Sequence, residues 1–388
     1  MSDPKRHAFA TRAIHAGQAP DPSTGAIMTP IYATSTYVQQ SPGVHQGYEY
    51  SRSQNPTRFA YEKCIADLEN GIAGFAFASG LAAENTALDL LQGRAQVLAM
   101  DDLYGGTYRL FKQVREKNST LDFTFADLSD IANLEAAITD NTRMIWVESP
   151  TNPMLKLVDL AAVARFAKSR GILTLCDNTF ASPYFQRPLD HGFDLVLHSA
   201  TKYLNGHSDM VGGVLVTADR ELAERLAYLQ NATGAVQGPF DSFMVLRSLK
   251  TLPLRMQRHS DTALQVARWL EQHDKVAWVS YAGLDGNRYK TLAEKYCPKG
   301  AGALFTFGLK GGYDAGVSLV SHVELFSHLA NIGDTRSLII HPASTTHRQL
   351  SDEQRALAGA GDDVVRLSIG LEDPDDIIAD LDQALANA

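Results

Sequence analysis

The first 250 residues alternate between short apolar runs and stretches of helical spacing. The runs at 74–78, 96–100, 121–126, 144–147, 172–176, 195–197 and 211–216 predict strands. Between them, residues 56–70, 81–93, 129–138, 159–169 and 221–230 space their apolar side chains as helices do, with Phe59, Ile65 and Leu68 on one side of the first. Strands alternating with helices imply right-handed crossovers and a mostly parallel sheet flanked by helices, an α/β fold. Further on, residues 240–252 and 259–273 read as helices. Strands follow at 276–281, 303–309 and 364–369 with helices between, a smaller α+β domain. Residues 1–50 break the pattern, being rich in Pro, Ser, Thr, Gly and Gln, the composition of a loop or tail. Yet residues 27–37 carry Ile, Tyr and Thr, which predicts an extended arm packed on something, a neighbouring subunit for example. The expected organisation is an arm over 1–50, an α/β domain over 51–250 and an α+β domain over 251–388.

Composition narrows the class of protein. A chain of 388 residues, 45% hydrophobic and 20% charged, has room for two domains and a large core. A net charge of −9 without a basic run argues against nucleic-acid binding, which needs clustered lysine and arginine. Cys64, Cys176 and Cys297 are far apart and lack metal-like spacing, so free thiols in a reducing compartment are expected. No run approaches the roughly 20 apolar residues of a membrane span, and residues 1–12 lack a signal-peptide core. The expectation is a cytoplasmic protein that binds no membrane.

The chemistry concentrates around Lys202, behind the apolar run 195–197 and between Ser199 and Thr201. An ammonium becomes nucleophilic when burial or a cationic neighbour lowers its pKa, and a strand end offers that setting for a Schiff-base lysine. Flanking hydroxyls suit phosphate oxygens. Alone, this tetrad describes many solvated lysines. Upstream, the strand 172–179 delivers Asp177 to the carboxyl edge where open α/β sheets bind ligands. An aspartate there can pair with a protonated pyridine nitrogen, the recurring complement of a Schiff-base lysine in pyridoxal-phosphate sites. Ser79-Gly80-Leu81 lies between a strand and a helix, an anion-binding turn that lacks the Walker lysine. Gly105-Gly106 after Tyr104 suggest a tight turn, with the tyrosine ring available for stacking on a planar group. Tyr50 and Arg52 stand just before the helix start at Asn55-Pro56-Thr57, where a guanidinium and a phenol can hold phosphate. Two prolines, Pro150 and Pro153, fix a turn that presents Asn152. His198, His207, His341 and His347 make no helical His-x-x-x-His pair, so capping or packing outweighs metal binding.

Taken together, Tyr50-Ser51-Arg52, Asn55-Pro56-Thr57, Ser79-Gly80-Leu81-Ala82, Asp102-Leu103-Tyr104-Gly105-Gly106, Asp177-Asn178-Thr179, Ser199-Ala200-Thr201-Lys202 and Arg366 through Glu372 resemble the cysteine and methionine metabolism family of fold-type I pyridoxal-phosphate enzymes. The resemblance covers essentially the whole chain. It implies pyridoxal 5'-phosphate as cofactor, held covalently by Lys202, with Asp177 on the pyridinium nitrogen and Tyr104 stacked on the ring as a second catalytic residue. It implies phosphate binding by Gly80, Leu81, Ser199 and Thr201, and by Tyr50 and Arg52 from an adjacent subunit. It also implies substrate carboxylate binding by Asn152 and Arg366, with Asn331 and Glu49 among the substrate-binding positions. An interlocked dimer paired into a homotetramer follows from a shared site.

Within that family, residues 45–52 and 202–211 look like cystathionine γ-lyases and γ-synthases, enzymes of elimination and replacement at Cγ. Residues 325–334 and 341–347 instead look like O-acetylhomoserine sulfhydrylases, which make homocysteine from a homoserine ester and sulfide. Ala330 stands where lyases and synthases usually carry a glutamate thought to recognise the distal amino group of cystathionine. Glu49 offers another carboxylate from the arm. A γ-lyase or γ-synthase is the main expectation, with cystathionine, homoserine esters, cysteine or sulfide as substrates and the sulfhydrylase as alternative. Methionine γ-lyase is disfavoured because that group carries a cysteine where this chain has Gly106, and the intact Lys202, Asp177, Tyr104 and Arg366 argue against a non-catalytic descendant.

Overall fold

The computed structural model describes residues 7–346, 348 and 359–388. His347, read above as a capping or packing residue rather than a metal ligand and within the sulfhydrylase-like stretch, lies outside them. The chain forms two compact units. One holds the described residues up to Met100, then Gly105–Val147 and Leu160–Pro253. The other holds Asp101–Tyr104, Glu148–Asp159 and the described residues from Leu254 onward.

The first unit is built on a seven-stranded sheet: β1 (Ala73–Phe77), β2 (Ala95–Met100), β3 (Leu121–Ala126), β4 (Thr142–Glu148), β5 (Leu173–Asp177), β6 (Leu195–Ser199) and β7 (Gly213–Thr217). Their spatial order is β1-β7-β6-β5-β4-β2-β3. β2, β5, β6 and β7 are buried along nearly their whole length and mostly apolar because both faces of the sheet are covered, as for strands in a parallel sheet. One strand departs from the parallel expectation: β7 runs antiparallel to both neighbours, β1 and β6.

Two helices that lead to the site start on capping side chains, whereas the first helix is held by tertiary contacts. Helix α1 (Phe9–His15) lies within the stretch expected to be loop; it buries Phe9 and Ala13, and Arg12 reaches Asp67 Oδ1 at 2.6 Å. Apolar anchors and a long-range ion pair thus order a segment whose local composition favours coil. Helix α2 (Pro56–Leu68) starts at Asn55, whose side chain accepts from the N–H groups of Thr57 and Arg58, with Pro56 in the first turn where its missing N–H costs nothing. Ile65 and Leu68 are buried as expected, but Phe59 is only half-buried. Arg58 and Glu62 instead go inside as a pair. Helix α3 (Gly80–Leu88) is capped by Ser79, whose Oγ accepts Ala82 N–H at 3.0 Å. Gly105 and Gly106, read above as a tight turn, open helix α4 (Gly105–Arg109) without positive φ.

The second unit carries a five-stranded sheet: β8 (Val276–Ser280), β9 (Leu304–Leu309), β10 (Ser327–His328), β11 (Leu338–Ile340) and β12 (Val364–Ser368), ordered β10-β11-β12-β9-β8. All pairings except β10 with β11 are antiparallel. Helices Gly312–His322 and Pro374–Ala386 belong to the same unit, the second capped by Asp373. The long helix Leu252–Glu271 begins seven residues earlier than the expected 259. Among the described residues no helix is long and apolar enough to cross a membrane.

Candidate active site

In the first unit the predicted groups collect at one end of the sheet. Phe77 of β1, Gly213 of β7 and Ser199 of β6 sit at one level by strand register. Ser79 and Gly80 continue from β1 onto this level. Their approach depends on Gly213: a Cβ there would fall 2.2 Å from the Ser79 carbonyl oxygen and 2.7 Å from Gly80 Cα. Gly80 in turn leaves room for Ser199, whose Cβ would be 3.2 Å from an added Cβ. The first helical N–H groups, Gly80 and Leu81, have no carbonyl to bond within α3, so they and the helix dipole form an anion cradle. The Thr201 hydroxyl is fixed beside it, accepting Gly212 N–H at 3.1 Å and donating to Gly212 O at 3.3 Å.

One strand over, Asp177 ends β5 level with Leu197 of β6. Thr179 ties these two strand ends together. Its hydroxyl donates to Asp177 Oδ1 at 2.5 Å and accepts Ser199 N–H at 2.8 Å, while its own N–H donates to Oδ1 at 3.0 Å. Burial pushes the Asp177 carboxyl above the ordinary carboxylate range, and the Thr179 bonds and nearby His198 pull it back. Lys202 follows β6 in a turn, with its N–H on Ser199 O at 3.2 Å and its carbonyl accepting Gly206 N–H at 2.7 Å. It is half-buried and stands three residues beyond the strand end.

Behind this edge the polar core is closely paired. His198 Nε2 lies 2.6 Å from Glu69 Oε1, both side chains fully buried, and Asn178 donates to the same oxygen at 3.0 Å. His198 is thus committed to a carboxylate, and His341 to Ser344 and the Asp362 carbonyl. Among the described residues no group of three metal-ligating side chains occurs. All three cysteines are buried and form no disulfide among the described residues.

Tyr50 and Arg52 sit in the turn before α2, both exposed, with the guanidinium 5.6 Å from the tyrosine ring centre. The buried Arg58 holds this turn by donating to the carbonyls of Ser51, Arg52 and Ser53. Glu49 is also exposed, its carboxylate held by Gln39 at 3.0 Å and lying 3.7 Å from His45.

The second unit assembles a separate set. Arg366 Nη1 donates to Asn152 Oδ1 at 2.6 Å, so two residues 214 positions apart are brought together. Asp102, buried beneath the Asn152 loop, accepts from the Thr151 hydroxyl and from Met154 N–H at 3.0 Å. Burial raises its carboxyl to about 6. Tyr104 donates its N–H to Glu148 at 3.0 Å, and the residue is 48% exposed. Asn331 lies in the irregular segment between β10 and β11, next to exposed Ala330.

Three contributors carried no sequence expectation: Thr179, Asp102 as anchor of the Asn152 loop, and Glu84. Asp-x-Thr is a recognisable side-chain turn pattern, so the first was within reach. Glu84 was not, since a glutamate in a helix reads as surface. It is 3% exposed, accepts from Thr107 at 3.1 Å, and is held well above the ordinary carboxyl range by burial and the charge of Asp177.

An anion cradle, a buried carboxylate and a lysine at one sheet edge suit a phosphorylated aromatic aldehyde with a protonated ring nitrogen. The donor set fits pyridoxal phosphate: N–H and hydroxyl donors for the phosphate, a carboxylate acceptor for the pyridine nitrogen and an amine for the aldehyde. Comparison with known proteins agrees. Residues 10–386 match the family described as Cys/Met metabolism PLP-dependent enzyme. The cystathionine beta-lyase of Coxiella burnetii is 54% identical over 98% of each chain. The cystathionine gamma-lyase of Dictyostelium discoideum is 47% identical over 99% of each. The solved structure of cystathionine gamma-lyase from Lactobacillus plantarum, complexed with L-serine, superposes with a TM-score of 0.94 at 43% identity, covering 98% of this chain and 99% of that one. The chain belongs to the Cys/Met metabolism family of PLP-dependent enzymes and has its fold-type I architecture.

Proposed function

We propose that this enzyme acts at Cγ of sulfur amino acids, cleaving or forming the C–S bond of cystathionine as a γ-lyase or γ-synthase. The observation that carries this reading is full-length similarity, at 47% and 46% identity, to proteins named cystathionine gamma-lyase and cystathionine gamma-synthase. Bound pyridoxal phosphate supplies an electron sink for the α-carbon of an amino acid. Lys202 holds the cofactor through Nζ and, with substrate bound, moves protons at Cα and Cβ. Asp177 keeps the ring nitrogen protonated, and Tyr104 stacks on the ring. Gly80, Leu81, Ser199 and Thr201 bind the phosphate, joined by Tyr50 and Arg52 of an adjacent subunit. Arg366, oriented by Asn152, takes the substrate carboxylate, and Asn331 and Glu49 contact the rest of the substrate. The exposed apolar side chains Ile27 and Val38 on the arm support its packing against a second copy, in a homotetramer of dimers. The working compartment is the cytoplasm, where three thiols outside any disulfide stay reduced.

A second reading is β-elimination, favoured by the name of the Coxiella burnetii relative. A third is the sulfhydrylase, favoured by Ala330, which cannot pair with the distal ammonium of cystathionine. One incubation with L-cystathionine separates them. Cysteine, 2-oxobutanoate and ammonia establish γ-cleavage; homocysteine, pyruvate and ammonia establish β-cleavage. If neither set forms, cystathionine made from O-acetylhomoserine and cysteine establishes the γ-synthase, whereas homocysteine made from O-acetylhomoserine and sulfide, with no cystathionine from cysteine, means that the sulfhydrylase reading replaces the first.

A further inference from the structure

The segment carrying Gln237 runs beside the end of β1. Ala78 N–H donates to Ala235 O at 3.0 Å and Gln237 N–H to Ala76 O at 3.1 Å, with Phe77 bridged to Val236. Gln237 therefore lies alongside the strand that leads directly into Ser79 and Gly80. Its side chain reaches the start of β7: a Cβ added to Gly212 would fall 2.1 Å from Nε2 and 3.2 Å from Cδ. Gly212 is the residue that holds the Thr201 hydroxyl, and the next residue, Gly213, supports Ser79 and Gly80. The amide thus lies against the peptide on which both parts of the anion cradle rest.

Gln237 is 1% exposed, and neither its Oε1 nor its Nε2 has a hydrogen-bond partner among the described residues. The other buried glutamines are provided for. Gln96 donates to Thr124 at 2.8 Å, Gln186 to Asn178 at 3.0 Å, and Gln230 to Glu62 at 3.0 Å and to Ala76 O at 2.9 Å. A buried amide without partners destabilises a fold, whereas leucine or methionine would fill similar space without that penalty. Local stability does not account for a glutamine here. A phosphate group would, since its oxygens accept hydrogen bonds and an amide nitrogen offers two donors.

We propose that Gln237 is a further polar contact of the cofactor phosphate, donating from Nε2 to a phosphate oxygen directly or across one ordered water. This rests on the phosphate cradle proposed above, and Ser199→Ala serves as the reference variant for that cradle. The test uses the full chain stripped of cofactor and titrated separately with pyridoxal 5'-phosphate, pyridoxal and inorganic phosphate. Gln237→Leu, and Gln237→Met as an unbranched second substitution, weaken binding of pyridoxal 5'-phosphate and inorganic phosphate about tenfold, the worth of one hydrogen bond to a charged group. They leave pyridoxal binding unchanged and do not lower the melting temperature of the cofactor-free protein. Wild-type phosphate affinity in both variants, with Ser199→Ala weakened, overturns this inference and leaves the cradle standing. Wild-type affinity in all three overturns the cradle as well. Equal losses for pyridoxal and its phosphate, or a lower melting temperature in both Gln237 variants, would place the amide's role in the ring site or the core and also overturn the proposal.

Discussion

Replacing Thr179 with valine isolates how Asp177 is held. The hydroxyl bonds Asp177 Oδ1 at 2.5 Å and Ser199 N–H at 2.8 Å, so its removal takes a donor from a buried carboxyl and an acceptor from a neighbouring strand. Valine keeps the branched shape, so the change is electrostatic rather than a cavity. A hydrogen bond to a charged group contributes about 1.5–3 kcal/mol, and a stranded N–H costs about 1–3 kcal/mol more. Ser199 is only half-buried, which puts the second cost at its low end and the total at about 2.5–4 kcal/mol. The deficit depends on pH with a definite sign. Burial raises the Asp177 carboxyl and Thr179 lowers it, so valine moves it further up. A carboxyl whose folded pKa exceeds its unfolded value holds its proton more tightly in the fold. Its contribution is full below the unfolded pKa of about 4 and falls as pH rises toward the folded value. Thermal denaturation of cofactor-free protein from acid to neutral pH should therefore show a gap between wild type and Thr179→Val that is constant at acid pH and widens only once pH passes the wild-type folded pKa, above the ordinary carboxylate range. At neutral pH cofactor affinity should fall about tenfold, since a carboxyl moved further up gives up its proton less readily to face a pyridinium. A gap constant with pH, together with wild-type cofactor affinity, would show that Thr179 ties the strands without acting on Asp177.

Other outcomes follow from the same geometry. Asp102 has a folded pKa of about 6, above its unfolded value, so it loses stabilisation as pH rises from about 4 to about 6. Asp102→Asn should remove that slope from the melting curve and gain up to roughly 3 kcal/mol at pH 7, whereas an unchanged slope would refute it. Gly213→Ala forces a methyl onto the Ser79 carbonyl and should lose about 1–3 kcal/mol of stability with weakened pyridoxal-phosphate binding, measured by melting and cofactor titration. Arg58→Met leaves Glu62 buried without its cation and frees the carbonyls of residues 51–53, a loss of about 3–5 kcal/mol checked by denaturant unfolding.

Much of the first unit was legible in the chain because buried parallel strands are continuous apolar runs and because helix starts depend on local residues such as Asn55-Pro56 and Ser79. Lys202, Asp177, Ser199, Thr201 and the Ser79-Gly80 turn were located by the same logic: a strand end followed by polar and small residues. The antiparallel direction of β7 was not legible, since an apolar run records burial and not the sense of its partner. Gly105-Gly106 misled because glycine permits a turn without requiring one. Local sequence determined which segments are strands and helices and which chemistry-bearing residues end them. Only the tertiary structure decided that Arg58, Glu62 and Glu84 go inside, that Thr179 joins two strands, that Asn152 meets Arg366 and that Gln237 is buried without a hydrogen-bond partner among the described residues. Those facts depend on contacts between residues far apart in the chain, which no local periodicity encodes.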